Sequence, residues 1–419
     1  MKVLLKQAHI LGSNSPYHGQ KKDILVFDGV IEKISENISD QADELIENDN
    51  LHVSAGWMDI FADFSDPGFE HRETIFSGSA AAAAGGFTDV MIMPNTSPVI
   101  GTKAQVTYLK AKTAGLPVTV HPIATVTKNA EGKDLSEMYD LFKSGAIAFS
   151  DGINPVQSPG ELLKALQYIK AVDATIIQLP EDRSISKGGL IHEGIVSTQL
   201  GLPGKPAIAE ELMIARDIEL LRYAGSRLHI TGISTAKSIS LVKQARKEGL
   251  QVTCSATAYH CWFCDEDLAG YDSNLKVNPP LRPRSDMMAV RNAVADNTID
   301  CIASHHIPLH WDDKNCEFEY ALPGMAGLES FFGVMNSLTE NTNRLVEQLT
   351  VKPRDIFGLP VPVIKEGEPA CLTMFDPGKT YTFEESMIRS ASRNYAFAGK
   401  TIRGKVIGII NNGKTVINS

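Results

Sequence analysis

Short apolar runs alternate with longer amphipathic stretches through the middle of the chain. Eight runs rich in apolar and β-branched residues predict strands at 56–61, 88–93, 118–124, 146–150, 175–178, 228–231, 251–255 and 301–304. The stretches between them include ETIFSGSAAAAAGG, SPGELLKALQYIKAV, AEELMIARDIELLRYAG and AKSISLVKQARKEG, and several end at Gly, as helices tend to. Eight strand–helix units of this size predict a (β/α)8 barrel.

Both ends of the chain have a different pattern. The segments VLLKQAHIL and DILVFDGVIEKIS near the N-terminus, and GKTIRGKVIGIINNGKTVI near the C-terminus, are short β-rich runs separated by Gly and Asn-Gly turns. We therefore predict an α/β protein with two domains. A TIM barrel covers residues 53–360, and a small β-sandwich domain is assembled from residues 1–52 and 361–419.

Composition and charge narrow the class of protein. A hydrophobic content of 43% and a charged content of 21% are typical of globular proteins, and the net charge of −10 argues against nucleic-acid or anionic-membrane partners. The six cysteines are scattered, and the Cys261/Cys264 pair has no second pair at zinc-ribbon spacing. With no apolar run long enough for a signal peptide or a membrane span, we expect a cytoplasmic protein.

The strand ends carry a set of motifs that resembles one known family. In order along the chain these are AGWMDIFADFSDPGFEHRETI, MIMPNTSPV, GAIAFSDG, EDRSIS, HEGIVSTQLGLPGKPAIAEELMIARD, HITGIST, ISTAKSISLVKQARKEGLQVT, GYDSNLKVNPPLR and GLES. Together they span about 56–330 and resemble the dihydroorotases of the amidohydrolase superfamily. That resemblance implies a metal-dependent barrel that closes carbamoyl-aspartate to dihydroorotate in pyrimidine biosynthesis, with a two-zinc centre and an Asp that shuttles the proton.

The sequence departs from the family pattern at the metal positions. The family places His ligands and carboxylates at positions that correspond here to Phe61, Asp63, Asp151, Gln178, Gly232 and His305. Only Asp151 keeps the family residue, the bridging carboxylate. His305 stands where the family has its catalytic Asp, and every ligand His is replaced. We therefore expect no bound metal and no intact catalytic residue.

The substrate contacts are also changed. Ser65 replaces the family's carboxylate-binding Arg, and Leu309 replaces a His that contacts the substrate. Asn95 and Asn278 match family substrate contacts, although Asn in P-N-T and V-N-P-P turns also binds local backbone groups. These two amides are the remaining candidates for ligand binding.

The expected function follows from these losses. Without a metal, water keeps its pKa of about 15.7 and does not approach 7, so the family mechanism has no nucleophile at neutral pH. The chain resembles family members that lack the zinc ligands and that associate with aspartate transcarbamoylase. We expect a structural or regulatory partner of that enzyme, itself a homo-oligomer.

Two other functions remain open from the sequence. In one, Asp63, Asp151 and His305 form a replacement metal site, with zinc as its cofactor, and the protein is an active dihydroorotase or another cyclic-amide hydrolase. His305 could instead form an ion pair with one of these carboxylates, which would fill the space of the metals. In the other, the barrel mouth is the binding pocket of a small-molecule sensor.

Overall fold

The computed structural model describes residues 1–418. Within this range the β-strands are β1 (Lys2–Leu11), β2 (Lys21–Phe27), β3 (Val30–Ser35), β4 (Glu44–Ile46), β5 (His52–Ala55), β6 (Trp57–Ala62), β7 (Phe87–Ile92), β8 (Thr119–Ala124), β9 (Ala148–Phe149), β10 (Thr175–Gln178), β11 (Ile191–His192), β12 (Gly204–Lys205), β13 (Leu228–Ile230), β14 (Val252–Thr257), β15 (Cys301–Ala303), β16 (Leu372–Thr382), β17 (Thr401–Asn411) and β18 (Lys414–Ile417).

The helices lie almost entirely in the middle of the chain. Over the same described range they are α1 (Ile75–Ala84), α2 (Lys103–Thr113), α3 (Met138–Ser144), α4 (Pro159–Ile169), α5 (Ile195–Leu200), α6 (Ile208–Ala224), α7 (Ala236–Lys247), α8 (Ala258–Trp262), α9 (Arg284–Ala295), α10 (Trp311–Lys314), α11 (Phe331–Ser337) and α12 (Thr342–Phe357). None of these helices combines the length and the hydropathy that crossing a bilayer requires.

Eight parallel strands form the predicted barrel. They are β6 to β10 and β13 to β15, and each pairs with its neighbour along the chain. The first and last strands meet where the amide of Asp63 donates to the carbonyl of His306 at 2.8 Å. All eight predicted strands are confirmed, with ends within two residues of the expected positions. The TIM-barrel prediction is therefore confirmed.

The local sequence explains where the barrel helices begin and which face they bury. In α4 the hydroxyl of Ser158 accepts from the amide of Glu161, and Pro159 occupies the first turn, where its missing N–H costs nothing. Leu162, Ala165, Leu166 and Ile169 recur at helical spacing and are buried. This apolar face covers the outside of the barrel sheet.

The chain termini form a second, mostly antiparallel sheet. Its strand order is β18-β17-β16-β5-β1-β2-β3, with β4 beside β1, so N-terminal and C-terminal strands join where β5 pairs with β16. The composite β domain expected from both ends of the chain is present as this sheet. Because β5 runs to Ala55, the sheet extends three residues past residue 52, the predicted boundary.

One hydrophobic cluster spans both sheets, beside separate clusters within the terminal sheet and within the barrel. Trp57 at the start of β6 is fully buried and packs against Phe332 of α11 and Phe375 of β16, with ring centroids 4.6 and 5.2 Å away. The guanidinium of Arg354 donates to the carbonyl of Gly56 at 2.7 Å. These contacts join the β domain to the end of the barrel opposite the strand C-termini.

Candidate functional site

The carboxyl ends of the parallel strands bring the predicted site residues to one rim of the barrel, as this fold requires. Each position lies at or just after a strand end: Phe61 near the end of β6, Asp63 and Ser65 after it, Asn95 after β7, Asp151 after β9, Gln178 in β10, Gly232 after β13, and His305 and Leu309 after β15. The strand ends therefore place these positions on one rim, where Phe61, Gly232 and His305 lie close together.

His305 occupies the middle of this rim. Its ring is 99% buried, lies 4.8 Å from the ring of Phe61, and binds the hydroxyl of Thr231 through Nε2 at 2.7 Å. The backbone of His305 has φ 44°, in the left-handed region that non-glycine residues rarely adopt. A strained residue at a strand end is typical of functional sites in this fold.

Gly232 and His305 compete for the same space. A Cβ atom at Gly232 would lie 2.8 Å from Cε1 of His305 and 3.1 Å from Cδ1 of Leu179, and the glycine has φ +72°. Carbon atoms essentially never approach to 2.8 Å, so a side chain at residue 232 would require the imidazole of His305 to move. The ring of His305 thus lies beside the point where a side chain from residue 232 would begin.

A chain of hydrogen bonds connects His305 to a second buried histidine. Thr231 Oγ1 binds Ser255 Oγ at 2.9 Å, Ser255 Oγ binds His229 Nε2 at 3.0 Å, and His229 Nδ1 binds Thr253 Oγ1 at 2.9 Å. Burial lowers the pKa of both His229 and His305 to about 3. Both imidazoles are therefore neutral near pH 7, and hydroxyl groups satisfy three of their four nitrogens.

The two candidate carboxylates, Asp63 and Asp151, accept hydrogen bonds from nearby loop residues. Asp151 accepts from the amides of Val126 and Thr127, each at 2.9 Å, and from the hydroxyl of Thr127. Asp63 accepts from the amide of Ser65 at 2.6 Å. Burial raises the pKa of both carboxyl groups. The expectation of an ion pair between His305 and either Asp is wrong, because the contacts found for His305 within residues 1–418 are to Thr231 and Phe61.

Gln178 points away from the barrel axis. Its amide nitrogen donates to Asp217 of α6 at 3.3 Å, and its oxygen accepts from the amide of Val156 at 3.2 Å. The side chain from β10 that reaches the space beside Gly232 is Leu179, the following residue. Strand alternation could have indicated this, because Ile177 faces the barrel interior and the next inward position is 179.

The two candidate substrate amides are held by neighbouring groups. Asn95 donates to the carbonyl of Asp151 at 3.1 Å and accepts from the amide of Ile153 at 3.0 Å. Asn278 donates to Glu181 at 3.0 Å and accepts from Lys205 at 2.8 Å. Sequence reasoning matched the EDRSIS and HEGIVSTQLGLPGKPAIAEELMIARD segments to the family but missed that Glu181 of the first contacts Lys205 of the second at 2.6 Å.

The remaining two positions are also filled by local packing. Ser65 is buried with φ 54°, and its short side chain cannot supply the bidentate charge of an arginine. Leu309 is buried, and its amide donates to Asn394 at 3.1 Å. The neighbouring His306 lies between Glu73, at 3.4 Å, and the amide of Gly327, at 3.2 Å. None of these groups presents a free charge to the barrel axis.

The residues present do not fit a zinc centre. Zinc is held by imidazole, thiolate and carboxylate groups, usually four at a time or three with a water. In the part of the chain that the structure describes, residues 1–418, no three His, Cys, Asp or Glu side chains are grouped so that they could hold a metal ion. Asp63, Asp151 and His305 each bind different neighbours, so the replacement site is not assembled.

Comparisons with known proteins agree with the motifs. A family model described as "Dihydro-orotase-like" matches residues 52–238. A dihydroorotase from Syntrophus aciditrophicus is 38% identical over 424 aligned positions and covers 99% of both chains. A dihydroorotase from Pelotomaculum thermopropionicum is also 38% identical, over 100% of this chain and 99% of its own. These relatives match the barrel and both termini.

Solved structures with low sequence identity share the fold. The L-hydantoinase (dihydropyrimidinase) from Arthrobacter aurescens superposes with a TM-score of 0.84 at 24% identity, covering 99% of this chain and 96% of its own. A D-hydantoinase (dihydropyrimidinase) from Thermus sp. gives 0.80 at 18% identity, covering 99% and 95%. Full-length identity to the curated relatives shows that the chain belongs to the dihydroorotase family.

Proposed function

We propose that this chain is a pyrimidine-biosynthesis protein of the dihydroorotase family that does not catalyse the family reaction and that acts as a structural or regulatory partner of aspartate transcarbamoylase. The observation that carries the first part is the packing of His305 into the space beside Gly232. The second part rests on the resemblance to family members without zinc ligands.

The chemistry of the rim supports the absence of catalysis. Opening or closing a cyclic amide requires an activated water or amide nitrogen and a group that moves a proton near pH 7. His305 and His229 have pKa values lowered to about 3, far from the operating pH of a general base. The two carboxylates of the rim accept hydrogen bonds from the surrounding loops. Neither imidazole is therefore suited to activate a nucleophile near pH 7.

The packing around Gly232 makes the loss difficult to reverse. A family-like His at 232 would collide with the ring of His305, and a family-like His at the inward position of β10 would have to replace Leu179 in the same space. A functional centre would therefore need several simultaneous substitutions. Because these positions would have to change together, the packing supports the proposal that the rim no longer binds a metal.

Substrate recognition is weakened in parallel. Dihydroorotate and carbamoyl-aspartate carry carboxylates, which proteins bind best with a bidentate guanidinium. Ser65 provides only a short neutral side chain, and Leu309 is apolar. Asn95 and Asn278 are already bonded to neighbours. Neither Ser65 nor Leu309 therefore offers a cation to these substrates.

Activity and metal content measured on one preparation test the first part. The purified chain is assayed in both directions with added zinc, beside the Syntrophus aciditrophicus dihydroorotase as a positive control. We expect no turnover above buffer and a zinc content well below one equivalent by plasma mass spectrometry. Turnover that accompanies stoichiometric metal and disappears in Asp151→Ala would contradict the proposal.

Association with the transferase tests the second part. The chain is mixed with aspartate transcarbamoylase from the same organism at micromolar concentrations and analysed by size-exclusion chromatography with light scattering. We expect one species with a mass above that of either protein alone. Two separate species at their individual masses would refute the partnership and leave the first part standing.

A further inference from the structure

A second cavity lies on the outer wall of the barrel, away from the rim. It has a volume of about 420 Å³ and lies between α8, α9, α11 and the first turns of α12. This size is within the range of about 300–1,000 Å³ that is typical of small-molecule sites. Its lining is mainly apolar and includes Val294, Met335, Leu338 and Leu345.

Two arginines add positive charge to this cavity. Arg291 of α9 and Arg344 of α12 both line it, and both are half-buried. In the described chain, residues 1–418, neither guanidinium forms an ion pair with a carboxylate, although other arginines such as Arg284 do. Glu340 also lines the cavity, but it is exposed and pairs with neither arginine.

Arg291 is held in place with most of its donors unused. Its Nε donates to the carbonyl of Cys261, which fixes the guanidinium at the cavity wall. The terminal nitrogens contact only the sulfurs of Met288 and Met287, each at 3.9 Å, and thioethers are weak acceptors. The terminal nitrogens of Arg291 are therefore available to an anion that enters the cavity.

We infer that this cavity is a binding site for a phosphate monoester of an apolar alcohol. Two guanidinium charges match a phosphate dianion, and guanidinium forks suit phosphate geometry. The apolar lining would cover the rest of the ligand and exclude water from the ion pairs. The site uses none of the rim residues, so it is independent of the proposed function.

Calorimetric titration of the full chain with phenyl phosphate tests the inference. We expect saturable binding, with the dissociation constant raised about tenfold or more in both Arg291→Gln and Arg344→Gln, because each loses a charge-assisted hydrogen bond. The matched control is Arg284→Gln, which removes an exposed arginine already paired with Glu266 at 2.8 Å and should leave binding unchanged. Circular dichroism checks that every variant is folded.

Two further measurements separate charge from shape. Inorganic phosphate should bind more weakly than phenyl phosphate because it lacks the apolar group. Benzyl alcohol should not bind because it lacks the phosphate. Ala295→Trp, at an exposed cavity position, should block phenyl phosphate by filling the cavity. Absence of phenyl phosphate binding at millimolar concentrations, or equal affinity in the wild type and both glutamine variants, would overturn the inference.

Discussion

Three histidines of the barrel are buried and kept neutral by their surroundings. Burial lowers the pKa of His229 and His305 to about 3 and that of His260 to about 4, from an ordinary value of 6.5. The unfolded chain therefore takes up protons below about pH 6.5 that the folded chain does not. The stability that these groups contribute is complete above that pH and is lost as the pH falls toward the folded pKa values.

Buried carboxyl groups act in the opposite direction, among them Asp59, Asp63, Asp151 and Asp217, because burial raises the pKa of each. Burial raises the pKa of Asp217 to about 6 from 3.8, so the folded state binds this proton more tightly than the unfolded state. The resulting stability is present below about pH 4 and is lost as the pH rises through about 6. The two sets of groups therefore oppose each other: the three histidines destabilise the fold as the pH falls, and the raised carboxyl groups destabilise it as the pH rises.

His305→Asn should reduce this acid sensitivity. Asn tolerates the left-handed backbone and can keep a hydrogen bond to Thr231. Removing one depressed histidine should remove about 2 kcal/mol of the stability lost between pH 6.5 and 5. Urea unfolding of both proteins at pH 7.5 and 5 measures the difference. Identical losses in the wild type and the variant would show that His305 is not shielded from protonation.

Gly232→His should destabilise the protein by about 3 kcal/mol, since overpacking adds to backbone strain. The Cβ atom of the new residue would lie 2.8 Å from Cε1 of His305, and its backbone would have φ +72°. Gly201→His is the matched control, with φ +67° and no atom within 4 Å of the added Cβ. This variant has similar backbone strain without the collision, so its free energy of unfolding in urea should fall less than that of Gly232→His.

A double-mutant cycle isolates the collision itself. Adding His305→Gly to Gly232→His removes the ring that the new side chain would meet. The double variant should therefore be more stable than the sum of the two single changes predicts, by about 1–3 kcal/mol. Additive effects would mean that the two residues do not share space, and would weaken the argument against metal binding at the rim.

The segment between β10 and α6 has little regular structure and is held by the polar contacts of Glu181, here called the polar anchor. It contains β11, β12 and the short helix α5, and Glu181 ties it to Lys205 and to Asn278. Both members of the Glu181–Lys205 pair are largely buried, with 11% and 14% of their side chains exposed. Removing one partner of such a pair leaves the other charge without compensation.

Glu181→Gln should loosen this segment. We expect a loss of about 2 kcal/mol in the free energy of unfolding, from the uncompensated ammonium of Lys205. Trypsin should cleave faster after Arg183 and Lys187, as the segment opens more often. Limited proteolysis with mass spectrometry measures the rates, and Glu193→Gln, an exposed acid in the same segment, is the control. Equal cleavage rates would argue against the anchor.

The barrel and the terminal sheet share a core and should unfold together. Trp57, Phe332 and Phe375 belong to one cluster that crosses the boundary between them. Asn411 of β17 also donates to the carbonyls of Thr88 and Pro117 in the barrel, at 3.1 and 2.9 Å. Neither sheet can lose its partner without exposing this core to water.

We therefore expect a single unfolding transition for the whole chain. Far-UV circular dichroism and tryptophan fluorescence should give the same urea midpoint. Arg354→Met, which removes the bonds to Gly56 and Asp89, should lower both midpoints equally. Two separate midpoints, or a shift in only one probe, would show that the sheets unfold independently.

Much of the molecule follows from local sequence pattern. Strand periodicity, Gly and Pro positions and helix caps depend on neighbours within a few residues, so the eight barrel strands were placed to within two residues of their observed ends. The rim followed as well, because parallel strands in a barrel end on the same side. The residues at positions 61, 65 and 232 are read directly from the sequence, and the resemblance implies which family residues they replace.

Contacts between distant parts of the chain decided the rest. His305 binds Thr231, 74 residues earlier, and Gln178 turns outward to Asp217 while Leu179 points inward. No local pattern encodes these choices, since they depend on which strands become neighbours and how much space each side chain leaves. The competition between residues 232 and 305 exists only in the assembled sheet, because β13 and β15 both pair with β14 and the residues after them then meet at one rim.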